Sequence, residues 1–412
     1  MTALDTVQGR KDAILQGARR HQDDVVAFLR DLIAIPATSC QEGPVIRRIE
    51  AEMHKVGFDE VRIDGLGNVL GRIGSGRRVV MMDSHTDTVG VGDPKEWTFD
   101  PYRGKVADGC VWGRGASDQR AGIACLVYAG KLIKELGLAG DCTVWMVGSV
   151  EEEDSDGIGW LYILREDGIT PDGIVITEPT NLRVYRGHRG RMEIEVHVPG
   201  VSCHASAPER GVNPVYKATH IIQDVEALNG RLKPHAFLGK GTIAVTDIRA
   251  LTPSQCAVPS SVTFHLDRRL TAGETKESAL AEIKALPSLQ DAEVEVLQYQ
   301  VKSWRGLEYG QEKYYPTWVM EETHPVVRAA TEAYRAVFGA APVVDKWTFS
   351  TNGVATMGTM NVPTVGFGPG EEDNAHSALE RVPIEHLVKA TAFYTAFPMV
   401  FQHTLASGSW PS

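Results

Sequence analysis

Apolar positions along this chain follow two rhythms, and the points where they alternate mark out its elements. Between residues 9 and 34, Val25, Val26, Phe28, Leu29, Leu32 and Ile33 form a helical stripe that stops before Pro36. Val45, Ile46, Ile49 and Met53 predict a second helix over 43–56, ended by Gly57. Arg78 to Met82 reads as a short buried strand, preceded by the breakers Gly74 and Gly76. Ile123 to Leu136 predicts a buried helix rich in small residues and closed by Gly137. Further strands are expected over 141–150 and 173–177, with a helix over 158–166 between them. Strand, polar loop and helix therefore recur, which predicts an α/β fold: a mixed, mostly parallel sheet covered by helices.

The rhythm changes after Tyr185. Arg191 to Val198 alternates, with Met192, Ile194, Val196 and Val198 set against Glu193, Glu195 and His197. A helix follows, capped by Asn213 with Pro214 in its first position. Strands at about 242–249 and 261–269, a helix at 274–286 and a strand at 292–299 complete a β-α-β-β-α-β order. That order predicts a ferredoxin-like α+β domain over 187–300, inserted into a domain made of residues 1–186 and 301–412. The α/β rhythm resumes from Pro316, with a helix at 324–338, a strand from Val362 to Phe367 and a last helix at 383–396.

Composition narrows the function classes. The 412 residues exceed one ordinary core, consistent with two domains. With 42 Lys+Arg against 53 Asp+Glu the net charge is −11, which argues against nucleic-acid binding. No apolar run approaches the roughly 18 residues of a membrane span. The first twenty residues lack an apolar stretch behind their charges, so no secretory signal is expected. Six cysteines without C-x-x-C spacing suit buried thiols in a reducing compartment, and a cytoplasmic location is expected.

His85, Asp118, Glu153, Glu178 and His376 all fall at or just past expected strand exits, where ligands bind in α/β sheets. Two imidazoles and three carboxylates form a mixed N/O set suited to zinc, manganese or cobalt. Five ligands exceed one tetrahedral site but suit two divalent ions if one carboxylate bridges. Asp87 lies two positions after His85, on its side of an extended chain, where a carboxylate can orient the imidazole. Glu152 precedes Glu153 and is placed to take a proton from a water and give it to a leaving amine.

Five stretches, Ser84-His85-Thr86-Asp87-Thr88-Val89, Gly113-Arg114-Gly115-Ala116-Ser117-Asp118, Glu151-Glu152-Glu153, Thr177-Glu178-Pro179-Thr180 and Gly368-Pro369-Gly370 to Ala375-His376, occur in this order. In that order they resemble the signature blocks of the aminoacylase, succinyl-diaminopimelate desuccinylase and glutamate-carboxypeptidase group of zinc hydrolases, metallopeptidase family M twenty. The stretches 184–193, 201–211 and 343–353 most resemble its YgeY-like branch, linked by name to selenium metabolism. The resemblance covers nearly the whole chain. It implies a zinc-exopeptidase-like catalytic domain, an inserted lid that dimerises, and a small-molecule substrate with neither nucleic acid nor membrane as partner.

Carried over block by block, the resemblance makes His85, Asp118, Glu153, Glu178 and His376 the ligands of two metal ions, most often zinc, with Asp118 bridging and followed by a cis peptide. Glu152 resembles the general base and Asp87 the aspartate that orients His85. His204 of the lid resembles the histidine that reaches a neighbouring subunit's site and stabilises the oxyanion. The loop Ser350-Thr351-Asn352-Gly353, turn-like by composition, matches one that touches substrate. Arg268 and Arg269 either bind a substrate carboxylate or pair with acids of the lid; Arg268 is assigned to substrate. The chain departs from the family in having Glu151 where aspartate is commoner, Gln119-Arg120 after the bridge, and Gln255-Cys256 where the lid often carries asparagine.

The expected activity is hydrolysis of a C–N amide bond in a small N-acyl or N-carbamoyl amino acid or a dipeptide. The alternatives are a ligand-binding protein without hydrolysis, and a hydrolase of ureido or cyclic amides. His188, His197, His220, His235 and His265 read as surface or core histidines. Arg186, His188, Arg189 and Arg191 read as a domain-crossing hinge or a substrate-anion contact. Cys203 reads as a small lid residue, because a metal site already supplies the nucleophile.

Overall fold

A computed structural model describes residue 7 and residues 9–407. Its central sheet orders eight strands as Glu60–Ile63, Val69–Ile73, Cys142–Ser149, Arg78–His85, Gly173–Ile176, Thr364–Gly366, Val184–Tyr185 and Val344–Asp345. The four middle strands, from Cys142–Ser149 to Thr364–Gly366, all run parallel. Antiparallel pairs flank them on both sides. Val80, Met81, Met82 and Ile174 to Ile176 are fully buried, which is why these strands read as unbroken apolar runs rather than alternating ones.

Helices Arg120–Leu136, Pro325–Phe338 and Ile384–Ser407 pack together around this sheet. Small residues let the first lie close: a Cβ on Gly122 would come within 2.0 Å of the Thr177 hydroxyl. The expected helix over 9–34 is two helices, Lys11–Arg20 and Gln22–Ile33, separated at His21. The stripe hides the break because the His21 ring is itself buried, 3.2 Å from Glu135 of the neighbouring helix. The hairpin Glu60–Ile63/Val69–Ile73 has too few residues for its pattern to stand out. The last helix runs through Pro398 to Ser407, beyond its expected end. Phe393, Phe397 and Phe401 are buried along it and carry the helix past the proline by packing rather than propensity.

The insert is a ferredoxin-like unit. Strands Gly190–Pro199, Thr242–Leu251, Ser261–Leu270 and Glu293–Val296 alternate with helices Pro214–Arg231 and Lys276–Lys284. The sheet order places Gly190–Pro199 between Ser261–Leu270 and Glu293–Val296, all antiparallel. Asn213 caps its helix as expected, accepting the Val215 N–H at 2.9 Å. Met192, Ile194, Val196, Phe264 and Leu266 pack with Ala218, Val225 and Ile283 in a core separate from that of the main sheet. The chain enters this unit through Gly187–His188 and leaves past Trp318–Val319, and these two segments pair antiparallel.

Candidate metal centre

Parallel strands side by side bring their carboxyl ends to one edge, and the chemistry collects there. His85 is the last residue of its strand, opposite Ser149 of the neighbouring one. Glu152 and Glu153 follow Ser149, Glu178 follows Ile176, and His376 lies within the long connection between Gly366 and Arg381. Asp118 arrives from the turn before helix Arg120–Leu136, and the Asp118–Gln119 peptide is cis. Gly368 lets two exits touch, since a Cβ there would lie 2.1 Å from the Thr177 carbonyl.

Two ligand sets form at this edge among the described residues, His85/Asp118/Glu178 and Asp118/Glu153/His376, and Asp118 belongs to both. His85 Nε2 lies 2.9 Å from Asp118 Oδ1 and 3.4 Å from Glu178 Oε1. His376 Nε2 lies 3.1 Å from both Asp118 Oδ2 and Glu153 Oε2. His85 Nδ1 faces the Asp87 carbonyl at 3.0 Å, an atom that only accepts, so Nδ1 donates and the Nε2 lone pair points into the site. In the His85 set the Nε2 lone pair then faces the oxygens of Asp118 and Glu178. Glu178 Oε2, buried, has no hydrogen-bond partner among the described residues. This donor set fits a pair of divalent cations.

The electrostatics agree. Asp118 and Glu153 push His376 up to about 10 through hydrogen bonds and charge. Burial holds Glu152 and Glu178 well above the usual carboxylate range, and the neighbouring carboxylates add to it against the opposing pull of His85. Burial alone would raise Asp118, but the two imidazoles beside it hold its carboxyl below its ordinary value. Such a site is short of positive charge, and bound cations supply it.

Around the ligands, buried groups fix their backbones. The Asp87 carboxylate accepts the N–H groups of Glu152 and Glu153 at 3.3 and 3.0 Å and the Ser39 hydroxyl at 2.7 Å. Its Oδ1 stands 3.5 Å from His85 Nδ1, so the Asp87 carbonyl is the closer partner of the ring. Glu380, which sequence reasoning missed, accepts the N–H groups of Ser117 and Asp118 at 3.0 Å each and pairs with Arg114 at 2.5 Å. Burial raises its carboxyl to about 7. Arg120, at one of the positions that depart from the family, is fully buried and donates to the carbonyls of Leu32, Ile35 and Thr86.

A cleft of about 300 Å³ opens over the ligands, lined also by Glu152, Asp156, Arg191, Arg269, Phe349 and Ser350. Of the neighbouring arginines 268 and 269, it is Arg269 that lines the cleft, beside Arg191 of the adjacent lid strand. On strand Ser261–Leu270 the even positions Phe264, Leu266, Arg268 and Leu270 face the lid core, and the period of two sends Arg269 to the other face. Arg268 is fully buried and bound to Glu274 and Glu282 at 2.7 and 3.1 Å. Of the loop 350–353, Ser350 lines the cleft and its hydroxyl donates to Asp156. Thr351 and Asn352 instead point inward, to His188 and to Asp83. Gly353 is buried against Trp318. His204 is exposed on the short lid strand Cys203–His204 and does not line this chain's own cleft.

Residues 81–399 match the model of a family described as Peptidase family M20/M25/M40. The chain is 53% identical over 388 residues to YgeY, an uncharacterized protein of Escherichia coli (strain K12), covering 94% of this chain and 96% of that one. It is 28% identical over 396 residues to a succinyl-diaminopimelate desuccinylase of Gluconacetobacter diazotrophicus, covering 90% and 95%. In fold it resembles YXEP of Bacillus subtilis, a dinuclear metal binding peptidase from the M20 family, with a TM-score of 0.67, 15% identity, and 93% and 98% of the two chains covered. With its ligand pattern, its inserted lid and a match over most of its length, this chain belongs to peptidase family M20/M25/M40.

Proposed function

We propose that this hydrolase cleaves the C–N bond of a small N-acyl or N-carbamoyl amino acid or a dipeptide, using two divalent ions, most often zinc, with cobalt or manganese as substitutes. The observation that carries this reading is the pair of ligand sets sharing Asp118, with Glu152 beside them. His85, Asp118, Glu153, Glu178 and His376 would hold the ions, and ions bound there would supply polarisation of the scissile carbonyl and acidification of a water. Glu152, whose Oε2 lies 3.8 Å from His85 Nε2, faces that place and takes the proton of the attacking water. The water oxygen bonds to the carbonyl carbon, and Glu152 passes the proton to the nitrogen as the C–N bond breaks. The products are a carboxylic or carbamic acid and an amine.

The cleft volume of about 300 Å³ supports a substrate the size of an acylated amino acid. Arg269 and Ser350 on its wall supply a cation and a hydroxyl for the substrate's polar groups. Asp87 orients the base by holding the Glu152 and Glu153 backbone. His204 is exposed and does not line its own chain's cleft, which supports a homodimer in which the lid of one protomer brings it to its partner's cleft. No described helix is long and apolar enough to cross a membrane, and the reading places the enzyme in the cytoplasm with a small-molecule substrate. The test is a panel of N-acetyl, N-succinyl and N-carbamoyl amino acids and dipeptides, assayed after chelation and again after zinc, cobalt or manganese is restored. Hydrolysis that disappears and returns supports the reading; hydrolysis indifferent to chelation overturns it.

A further inference from the structure

Outside the ligand set, one buried side chain joins three segments distant in sequence. His188 is fully buried at the point where the chain crosses into the lid. Its Nδ1 donates to the Arg189 carbonyl at 2.9 Å, which leaves Nε2 as an acceptor. That nitrogen receives the indole N–H of Trp318 at 2.7 Å and the backbone N–H of Thr351 at 3.1 Å. Trp318 belongs to the return crossing and pairs with His188 in register. Thr351 belongs to the loop whose preceding residue, Ser350, lines the cleft.

The packing leaves this node little slack. A Cβ on Gly353 would lie 2.4 Å from the Trp318 indole nitrogen, and one on Gly187 would lie 2.6 Å from the Trp318 carbonyl. The His188 ring meets Trp318 and Trp347 edge-on, with centroids 5.3 and 6.0 Å away. On the catalytic side, Asn352 donates to Asp83 at 2.8 Å and to the Ser149 hydroxyl at 3.1 Å, both on strands that carry the site. On the lid side, Arg191 reaches Asp156 at 2.9 Å, the same carboxylate that accepts the Ser350 hydroxyl. A packed node of this kind shifts as a unit.

We propose that His188 is a positioning residue: by sharing one nitrogen between Trp318 of the lid crossing and Thr351 of the cleft loop, it couples lid orientation to the cleft wall at Ser350. Its catalytic consequence rests on the hydrolytic reading of the cleft; the coupling itself does not. If the lid rotates about its two crossings, Trp318 and His188 move together and carry Thr351 with them. The family blocks hold the ions, while this node sets the shape of the wall that substrate meets.

Amide hydrogen exchange on the metal-loaded protein tests this without needing turnover. His188→Ala is expected to raise exchange at 350–353 and at 318–319 roughly tenfold, leaving 80–86 and 174–177 unchanged. His188→Gln, whose carbonyl can accept from both donors, is expected to restore protection at both segments. Trp318→Phe, which keeps a ring but removes one donor, is expected to loosen the cleft loop as well, and it serves if the alanine variant does not fold. On a substrate found by the panel, KM is expected to rise in His188→Ala and return toward wild type in His188→Gln. Unchanged exchange, a rise spread evenly over the chain, or a glutamine variant no better than alanine would overturn the coupling. A silent substrate panel with the expected exchange pattern would count against the hydrolytic reading alone.

Discussion

The carboxylate of Asp87 accepts the backbone N–H of Glu153 at 3.0 Å, and so joins the loop of one candidate ligand set to the strand end that carries His85 of the other. One buried side chain thus supports both halves of the site. Asp87→Ala is expected to weaken the binding of both ions about 10–100-fold. Calorimetric titration of the chelated protein with zinc checks this, and a loss confined to one ion contradicts it.

The two neighbouring lid arginines are expected to separate cleanly. Arg268→Met removes a buried guanidinium from the partly exposed Glu274 and Glu282, so it should cost about 1–3 kcal/mol in denaturant unfolding. Arg269→Met, on the cleft wall, should leave stability within about 0.5 kcal/mol and raise KM. Urea melts and KM values for both variants check this, and a reversed pattern contradicts the assignment of the two faces.

Glu380 holds the backbone of Asp118, shared by the two candidate ligand sets, from the far end of the chain. Glu380→Ala leaves Arg114 unpaired in the interior and the Asp118 N–H without its acceptor, so unfolding free energy should fall by about 3–5 kcal/mol. Glu380→Gln keeps an acceptor for both N–H groups and should cost less. Equal losses in the two variants would show that charge alone matters there.

His188 also predicts how stability depends on pH. Burial pushes its imidazole down to about 4, with the Arg189 carbonyl and Asp156 opposing and Arg269 assisting. The unfolded chain therefore binds this proton more readily than the folded one. Its stabilising contribution is full above about 6.5 and shrinks as pH falls toward 4, by about 3 kcal/mol in total. Urea unfolding of wild type and His188→Gln between pH 4 and 7 checks this, since the glutamine variant should lack that part of the slope.

How much of this was legible in the sequence follows from what is local and what is not. His85, Glu153 and Glu178 stand at or just past the ends of parallel strands, and strand exits can be read from apolar runs. The alternation of Met192 to Val198 likewise showed the first lid strand. The Arg114–Glu380 pair spans 266 positions, and no pattern on either side announces the other. Asn352 reads as a turn residue because its partner Asp83 lies 269 positions away in a strand whose interior polar group looks like an exception. Arg268 and Arg269 differ only in the parity of a strand whose phase is fixed by Phe264 and Leu266. That phase, carried by the buried even positions, sends Arg269 rather than Arg268 to the cleft.

The account stands on the shared Asp118 and on Glu152 as a base that binds no metal. The most direct measurement counts zinc per chain alongside turnover in wild type and Glu152→Gln. Two ions in both proteins, with kcat lowered about 10²–10⁴-fold in the variant, is the predicted result. One ion in the wild type, or a Glu152→Gln enzyme turning over near the wild-type rate, would contradict it.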